Sequence, residues 1–409
     1  MIRLLLLRLV MLALLAGPAG AQLRSGIDVL EASRFAALRP DAASPVRVGL
    51  VTNQTGLDRQ GRRTIDVLAV APGIKLAAIF SPEHGLSGTL DTTEIPHATD
   101  PSTGVPVYSV YGATDARRRP DPQVIGALDV VVFDLQDAGI RFYTYAATLG
   151  YFLEAAAAAG KPIVVLDRPN PITGLHIEGP LSDPGLCPNE ACHFVNYHRL
   201  PLRHGMTLGE LARLFNAERG INARLTVVPM EGWRRADWFD GAGARWISPS
   251  PNLRSLTAAT LYGGVGLLEK TNVSVGRGTE TPFEVLGAPW IEAARLSEYL
   301  NRRRIRGVSF SAASFRPVSS RYAGELCHGV RVRLTNREAL DVAQLGLELA
   351  AVLDRLYPSE FQLDAMRDLL SDDRLLRALK SGADPRGLAA EWQDELRRFE
   401  QVRARYLLY

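Results

Sequence analysis

Glu83 sits in the run Ser81-Pro82-Glu83-His84-Gly85, directly after a stretch of apolar residues. A carboxyl group in such a place, if it keeps its proton near neutral pH, can serve as a general acid. Other polar side chains follow other apolar runs in the same way. Asn53 and Gln54 follow the first run, Tyr111 the third, and Asp134, Gln136, Asp137, Arg141, Tyr143 and Tyr145 the fourth. Asp167, Arg168 and Asn170 follow the fifth. If each run is a strand of one parallel sheet, these residues meet at one edge, where open α/β sheets bind their ligands. Acids, amides, arginines and tyrosines brought together there predict a polar pocket. Each also has a plainer use: His84 bonding backbone, Asp134 capping a helix, Asp167 and Arg168 forming a buried pair.

Several chemistries lack their parts. No G-x-S-x-G elbow is present to carry a serine nucleophile. No G-x-x-x-x-G-K-[ST] loop is present to cradle phosphate. Gly276-Arg277-Gly278 follows no Rossmann strand and lacks a third glycine. His84, Asp134, Asp137 and His204 offer metal-ligating atoms but no compact H-E-x-x-H spacing. A carboxylic acid beside amide-rich walls suits a sugar. Glycosidic cleavage needs an acid near the leaving oxygen and usually a second group opposite it. Candidates for that second group are Glu178, Asp134 and Glu280, with assistance from a substrate acetamido group as a further route.

The elements that must position these residues alternate. Apolar runs lie at 46–52, 74–80, 105–110, 128–134, 162–166 and 225–228, and several are nearly continuous in Val, Ile and Leu, as strands covered on both faces should be. Helical stretches at 64–71, 143–159 and 207–219 lie between them. The expected fold is therefore α/β, with a Rossmann-like doubly wound parallel sheet. A Pro-, Gly- and Ser-rich stretch at 241–252 marks a boundary. Residues 22–248 are expected to form the catalytic domain, and 249–409 a smaller α+β domain. In the latter, a glycine-rich segment at 261–282 leads to a helix at 290–302 and strands near 308–317 and 330–334. Helices are expected at 342–356, 366–379 and 385–406.

With 409 residues the chain can fill two cores. A net charge of +3 does not argue for nucleic acid, and Arg117–Arg119 and Arg302–Arg304 read as solvated faces. Arg3 and Arg8 flank a leucine-rich stretch, an apolar core covers 9–17, and Ala19-Gly20-Ala21 supplies a signal-peptidase site. Residues 1–21 are expected to be a signal peptide, the mature protein being periplasmic or secreted and without membrane insertion. No cysteine follows the cut, so lipid attachment is not expected. Of the three cysteines, Cys187 and Cys192 share a loop and are the expected pair, with Cys327 buried and free. Cys192–Cys327 is the other pairing considered.

These motifs together resemble the exo-β-N-acetylmuramidases, the NamZ-type glycoside hydrolases. The resemblance rests on Ser81–Gly85, Asp134-Leu135-Gln136-Asp137 running to Arg141-Phe142-Tyr143-Thr144-Tyr145, and Asp167-Arg168-Pro169-Asn170-Pro171. It continues in Glu178-Gly179-Pro180, His204-Gly205-Met206-Thr207, Ser250-Pro251-Asn252, and Thr271-Asn272 to Gly276-Arg277-Gly278-Thr279. Lys270 and the Cys187–Cys192 loop depart from the pattern. The resemblance implies release of N-acetylmuramic acid from the non-reducing end of peptidoglycan fragments, with Glu83 as principal catalytic carboxylate and no cofactor. Asp134 and Glu178 complete the expected catalytic set. The expected sugar-binding set is Asn53, His84, Arg141, Tyr143, Tyr145, Asp167, Arg168, Asn170, His204, Asn252, Asn272 and Arg277. Arg141 is favoured, with Arg277 second, to meet the carboxylate of the 3-O-lactyl group. The competing classes are an exported sugar-binding protein and a metal-dependent hydrolase using His84, Asp134 and His204.

Overall fold

The valine- and isoleucine-rich runs form the strands they predict. A computed structural model describes residues 22–38, 44–186 and 190–409. Strands β1 (Val46–Thr52), β2 (Ile74–Ser81), β3 (Ala98–Thr99), β4 (Pro106–Ser109), β5 (Val130–Asp134) and β6 (Pro162–Leu166) come first. A ribbon of β7 (Glu178–Leu181) and β8 (Pro201–Arg203) follows, then β9 (Arg224–Val228). The main sheet has seven strands in the order β3-β4-β2-β1-β5-β6-β9. Every pairing in it is parallel except that of the two-residue edge strand β3. β5 is buried at all five positions because helices cover both faces of the sheet. The chain winds outward from β1 to one side through β2, then restarts at β5 on the other. The carboxyl ends of β1 and β5 therefore flank a crevice.

The C-terminal part carries a separate antiparallel sheet, β10 (Val285–Ala288), β12 (Cys327–Leu334) and β11 (Val308–Phe315) in that order. One hydrophobic core runs from Phe80 and Phe133 under the main sheet to Leu286, Val330 and Leu345. A second, smaller core lies on the other face, around Leu50, Ile79 and Val132.

Some elements differ from expectation. The start of the glycine-rich segment lies within a helix, Leu256–Val265, buried from Ala258 onward. Its glycines are contact points: a Cβ on Gly264 would come within 2.7 Å of the Val342 carbonyl oxygen. The expected helix at 366–379 breaks at Ser371, whose φ of 51° is left-handed, and restarts where Asp372 caps Arg374 and Leu375. The stretch at 385–406 likewise divides into Pro385–Leu388 and Gln393–Ala404. Residues 1–21 and the side chains of Cys187 and Cys192 lie outside the described residues. Cys327 is fully buried with a free thiol. Among the described residues no helix is long and apolar enough to cross a membrane.

Candidate active site

Glu83 lies in the turn after β2, and both its carboxyl oxygens are held. The Tyr111 hydroxyl donates to Oε1 at 2.6 Å and the Thr144 hydroxyl to Oε2 at 2.6 Å. Tyr111 follows β4, and Thr144 precedes the helix Tyr145–Ala158. Three segments thus orient one carboxyl group. Hydroxyls both donate and accept, so this pair can hold the group protonated or ionised. Burial, and then the charge of Glu83, hold the Tyr111 phenol far above its ordinary range, so it stays neutral.

His84 has a φ of 73°, a conformation costly for a residue with a Cβ. Its Nδ1 lies 2.8 Å from the Leu90 carbonyl oxygen. A carbonyl only accepts, so Nδ1 carries the proton, and in the neutral ring Nε2 is left as an acceptor. Glu83, His84, Tyr143, Thr144, Asn252, Glu269 and Arg277 line one cleft. Phe142, Tyr262 and Phe283 form an edge-to-face aromatic wall, with ring centroids 5.0 and 4.8 Å apart. An apolar wall with a few convergent polar groups fits a sugar's mixed faces.

Arg277 bonds to both Glu269 and Asp91, and Asn252 Nδ2 donates to Asp91 at 3.3 Å. Burial opposes the Arg277 charge, but the two carboxylates outweigh it and hold the guanidinium above its ordinary pKa. Its Nε is buried and has no partner. A buried donor without an acceptor is costly, and a ligand oxygen could satisfy this one.

The loop carrying Asn252 is tied down by Gln54, whose Nε2 donates to the Ser248 carbonyl at 2.7 Å. Gln54 passes so close to Gly88, at φ 67°, that a Cβ there would lie 1.9 Å from its Nε2. Tyr145 is the second tie. It accepts from Asn53 Nδ2 at 2.7 Å and donates to the Pro249 carbonyl at 2.9 Å.

The structure brings together Glu83, His84, Tyr143, Asn252 and Arg277 of the expected site, with Asn53 and Tyr145 as supports behind them. It takes the others away from the cleft. Asp134 is fully buried and spent on Arg168, at 2.5 and 2.9 Å, and on the Thr64 hydroxyl at 2.5 Å. Asp134 and Arg168 are both corrections to the expected site, because neither faces the cleft. Glu178 receives Arg203 at 2.8 Å and the Val342 amide at 2.8 Å, joining the β7–β8 ribbon to the helix Val342–Leu356. Its pKa is raised to about 7 by burial, but it is a structural group outside the cleft.

Arg141 is the largest correction. Its guanidinium donates to four backbone carbonyls, those of Pro180, Leu200, Leu369 and Leu370, at 2.8 to 3.0 Å. It pins three distant segments and has no route to a lactyl group. Asp167 accepts from Thr207, Gly209 and Tyr409 at 2.7 to 2.8 Å and anchors the helix Leu208–Glu218. Asn170 bonds Met206 and Ile172, and Asn272 clamps Glu360 and Gln362. His204 is fully buried, accepting from the Met206 amide at Nδ1 and facing Asp137 with Nε2 at 3.4 Å. Among the described residues no three His, Cys, Asp or Glu side chains cluster to hold a metal.

Thr144, Glu269, Asp91 and the aromatic wall were not singled out from the sequence. Thr144 lies inside a motif already noted, and Glu269 precedes the departing Lys270. Phe142 lies in the same motif as Thr144, and no local signal marks Asp91, Tyr262 or Phe283.

Comparison with known proteins places the chain in one family. The family model described as exo-beta-N-acetylmuramidase NamZ, N-terminal, matches residues 48–257, and its C-terminal counterpart matches 260–409. Peptidoglycan beta-N-acetylmuramidase NamZ of Bacillus subtilis (strain 168) is 41% identical over 367 residues, 89% of this chain and 87% of that protein. A DUF1343 family protein of Bacteroides fragilis NCTC 9343 has a crystal structure that superposes with a TM-score of 0.85 at 33% identity, covering 95% of this chain and 99% of the other. A second protein of that family and organism gives 0.73 at 28% identity over the same shares. The chain belongs to the NamZ exo-β-N-acetylmuramidases, a family of glycosidases.

Proposed function

We propose that this protein releases N-acetylmuramic acid from the non-reducing end of peptidoglycan-derived glycans, with Glu83 as the acid. The observation that carries the reading is the Glu83 carboxyl held by Tyr111 and Thr144 inside the cleft. Glu83 gives its proton to the glycosidic oxygen as the C1–O bond breaks, and water supplies the hydroxyl that ends on C1. Glu269, in the same cleft and bonded to Arg277, is the carboxylate available to stabilise the cationic sugar or to activate that water. It takes the place expected of Asp134 or Glu178. The aromatic wall formed by Phe142, Tyr262 and Phe283 packs on the apolar face of the ring. Residues 1–21 act as a signal peptide and deliver the mature protein to the periplasm or the medium, where wall fragments arise.

The test is hydrolysis of a chromogenic β-N-acetylmuraminide by Glu83→Gln. Loss of the acid should cost roughly 10²- to 10⁴-fold in kcat with an unchanged melting temperature. Near-normal turnover by that variant would remove Glu83 from the mechanism. An intact disaccharide after long incubation with the native protein would mark a binding protein instead.

A further inference from the structure

Beside the Glu83 cleft the surface opens into a second, larger groove of about 610 Å³. The two share Asn252, and Gly278, next to Arg277, lies on the boundary between them. The loop after β11 forms the far wall. The Val318 amide donates to the Gly278 carbonyl at 2.9 Å, and a Cβ on Gly278, at φ 78°, would meet the Ser319 carbonyl oxygen at 2.4 Å. The bare backbone at 278 thus lets this wall close against the cleft's edge.

Three exposed arginines line the groove: Arg254, Arg316 and Arg331. Their hydrogen bonds go to neutral oxygens. Arg254 donates to the Pro251 carbonyl at 3.0 Å, Arg331 to the Thr281 hydroxyl at 3.3 Å, and Arg316 to the Gly324 carbonyl. Several arginines elsewhere pair with acids, as Arg47 does with Asp129, Arg119 with Asp115 and Glu154, and Arg303 with Glu348 and Asp384, whereas Arg224, like the groove arginines, bonds a carbonyl. The groove's own acids are Asp91, spent on Arg277, and Glu280. The cations outnumber them. Phe315, and Val318 at 86% exposure, add apolar surface between the charges.

An exo-acting enzyme seats the terminal sugar in its cleft, so the rest of the glycan must leave through whatever surface is continuous with it. The groove has that position. We propose that it binds the acidic peptide carried by the next muramyl residue of the retained glycan. Peptide carboxylates would meet Arg254, Arg316 and Arg331, and alanyl methyl groups would meet Phe315 and Val318. Arginine suits this task because its fork bonds carboxylate bidentately. The inference rests on the exo-muramidase reading above.

The test compares two substrates. One is the disaccharide of N-acetylmuramic acid and N-acetylglucosamine. The other is a tetrasaccharide with the same free terminal sugar and a stem peptide on its internal muramyl residue. In the Arg316→Ala/Arg331→Ala double variant, kcat/KM on the disaccharide should be unchanged, which also reports an intact fold. On the peptide-bearing tetrasaccharide it should fall tenfold or more through KM, and the corresponding double Lys variant should recover most of the loss. Added salt should erode the native preference in the same direction. An unchanged tetrasaccharide kcat/KM, or an equal loss on both substrates, overturns the groove while leaving the exo-muramidase reading intact. If the native protein releases no sugar from the disaccharide, that reading fails and the groove assignment falls with it.

Discussion

Thr144 and Glu83 are 61 residues apart in the chain, yet the Thr144 hydroxyl lies 2.6 Å from Glu83 Oε2. The contact joins the turn after β2 to the start of the helix Tyr145–Ala158, across the position of β1 in the sheet. Tyr111 makes the matching bond to the other oxygen. A carboxyl group fixed at both oxygens is aimed at one point, and correct aim is worth a large part of a glycosidase's rate.

Removing either hydroxyl should therefore loosen the acid without removing it. A hydrogen bond to a charged group is worth about 1.5–3 kcal/mol, or roughly a ten- to hundredfold change. Thr144→Val and Tyr111→Phe should each lower kcat on a muraminide by about tenfold or more. A kcat matching the native enzyme in both variants would show that these bonds do not position the acid.

Asp134 and Arg141 belong to the scaffold, and their variants should show it. Arg141 is buried and satisfies four carbonyls, so its guanidinium sits in a site where burial pulls its pKa down to about 9. Arg141→Ala removes a donor from each of those carbonyls, of which Leu200 keeps the Ser182 amide at 3.0 Å, at about 1–3 kcal/mol for each one left with no partner. Asp134→Asn breaks a buried pair with Arg168, where losing one partner costs about 3–5 kcal/mol. Both should lower the melting temperature by many degrees, while the folded fraction keeps its preference for muraminide over glucosaminide. A native melting temperature with a lost preference would return either residue to the site.

Asp167 supplies a pH signature for the fold. It is fully buried, and burial raises its pKa from 3.8 to about 6. The unfolded chain releases this proton near 3.8, and the folded chain holds it until about 6. Between those values the native state binds more protons, so stability falls as pH rises through the window and is flat above it. A tenfold difference in proton affinity between the two states is about 1.36 kcal/mol, which makes the full change about 3 kcal/mol. Urea unfolding at a series of pH values should show this descent, and Asp167→Asn should remove it. The same slope in the variant would assign the descent to another group.

The main sheet was legible because strands covered on both faces are runs of Val, Ile and Leu, bounded by turns. The helix Leu256–Val265 was not, because Gly263 and Gly264 look like loop until their close packing on the helix Val342–Leu356 is known. Glu83 could be found because it follows a strand directly, where the topology alone puts it at the ligand edge. Arg141 follows a strand too, but it turns inward to carbonyls at positions 180, 200, 369 and 370, and no local pattern records so distant a destination. Glu269 was missed for the opposite reason: its segment comes to the cleft through long-range packing.

Arg141 does not line the cleft, so on the proposed reading Arg277 is the cation placed to distinguish muramic acid from N-acetylglucosamine. The two sugars differ by a 3-O-lactyl group that ends in a carboxylate. Arg277 lines the cleft, bonds Asp91 and Glu269, and keeps a buried Nε without an acceptor. Two carboxylates on one guanidinium leave the cluster formally negative, so a lactyl carboxylate must displace one of them. Such an exchange is selective, because a sugar without the lactyl group offers nothing in return. A charged hydrogen bond of about 1.5–3 kcal/mol corresponds to roughly ten- to a hundredfold in selectivity. Arg277→Ala should therefore narrow the kcat/KM ratio of muraminide to glucosaminide by that factor, and Arg277→Lys should keep part of it as a point charge without the fork. If Arg277 only ties Asp91 to Glu269, both substrates lose activity together and the ratio stays constant. An unchanged ratio in Arg277→Ala would thus assign lactyl recognition to another group.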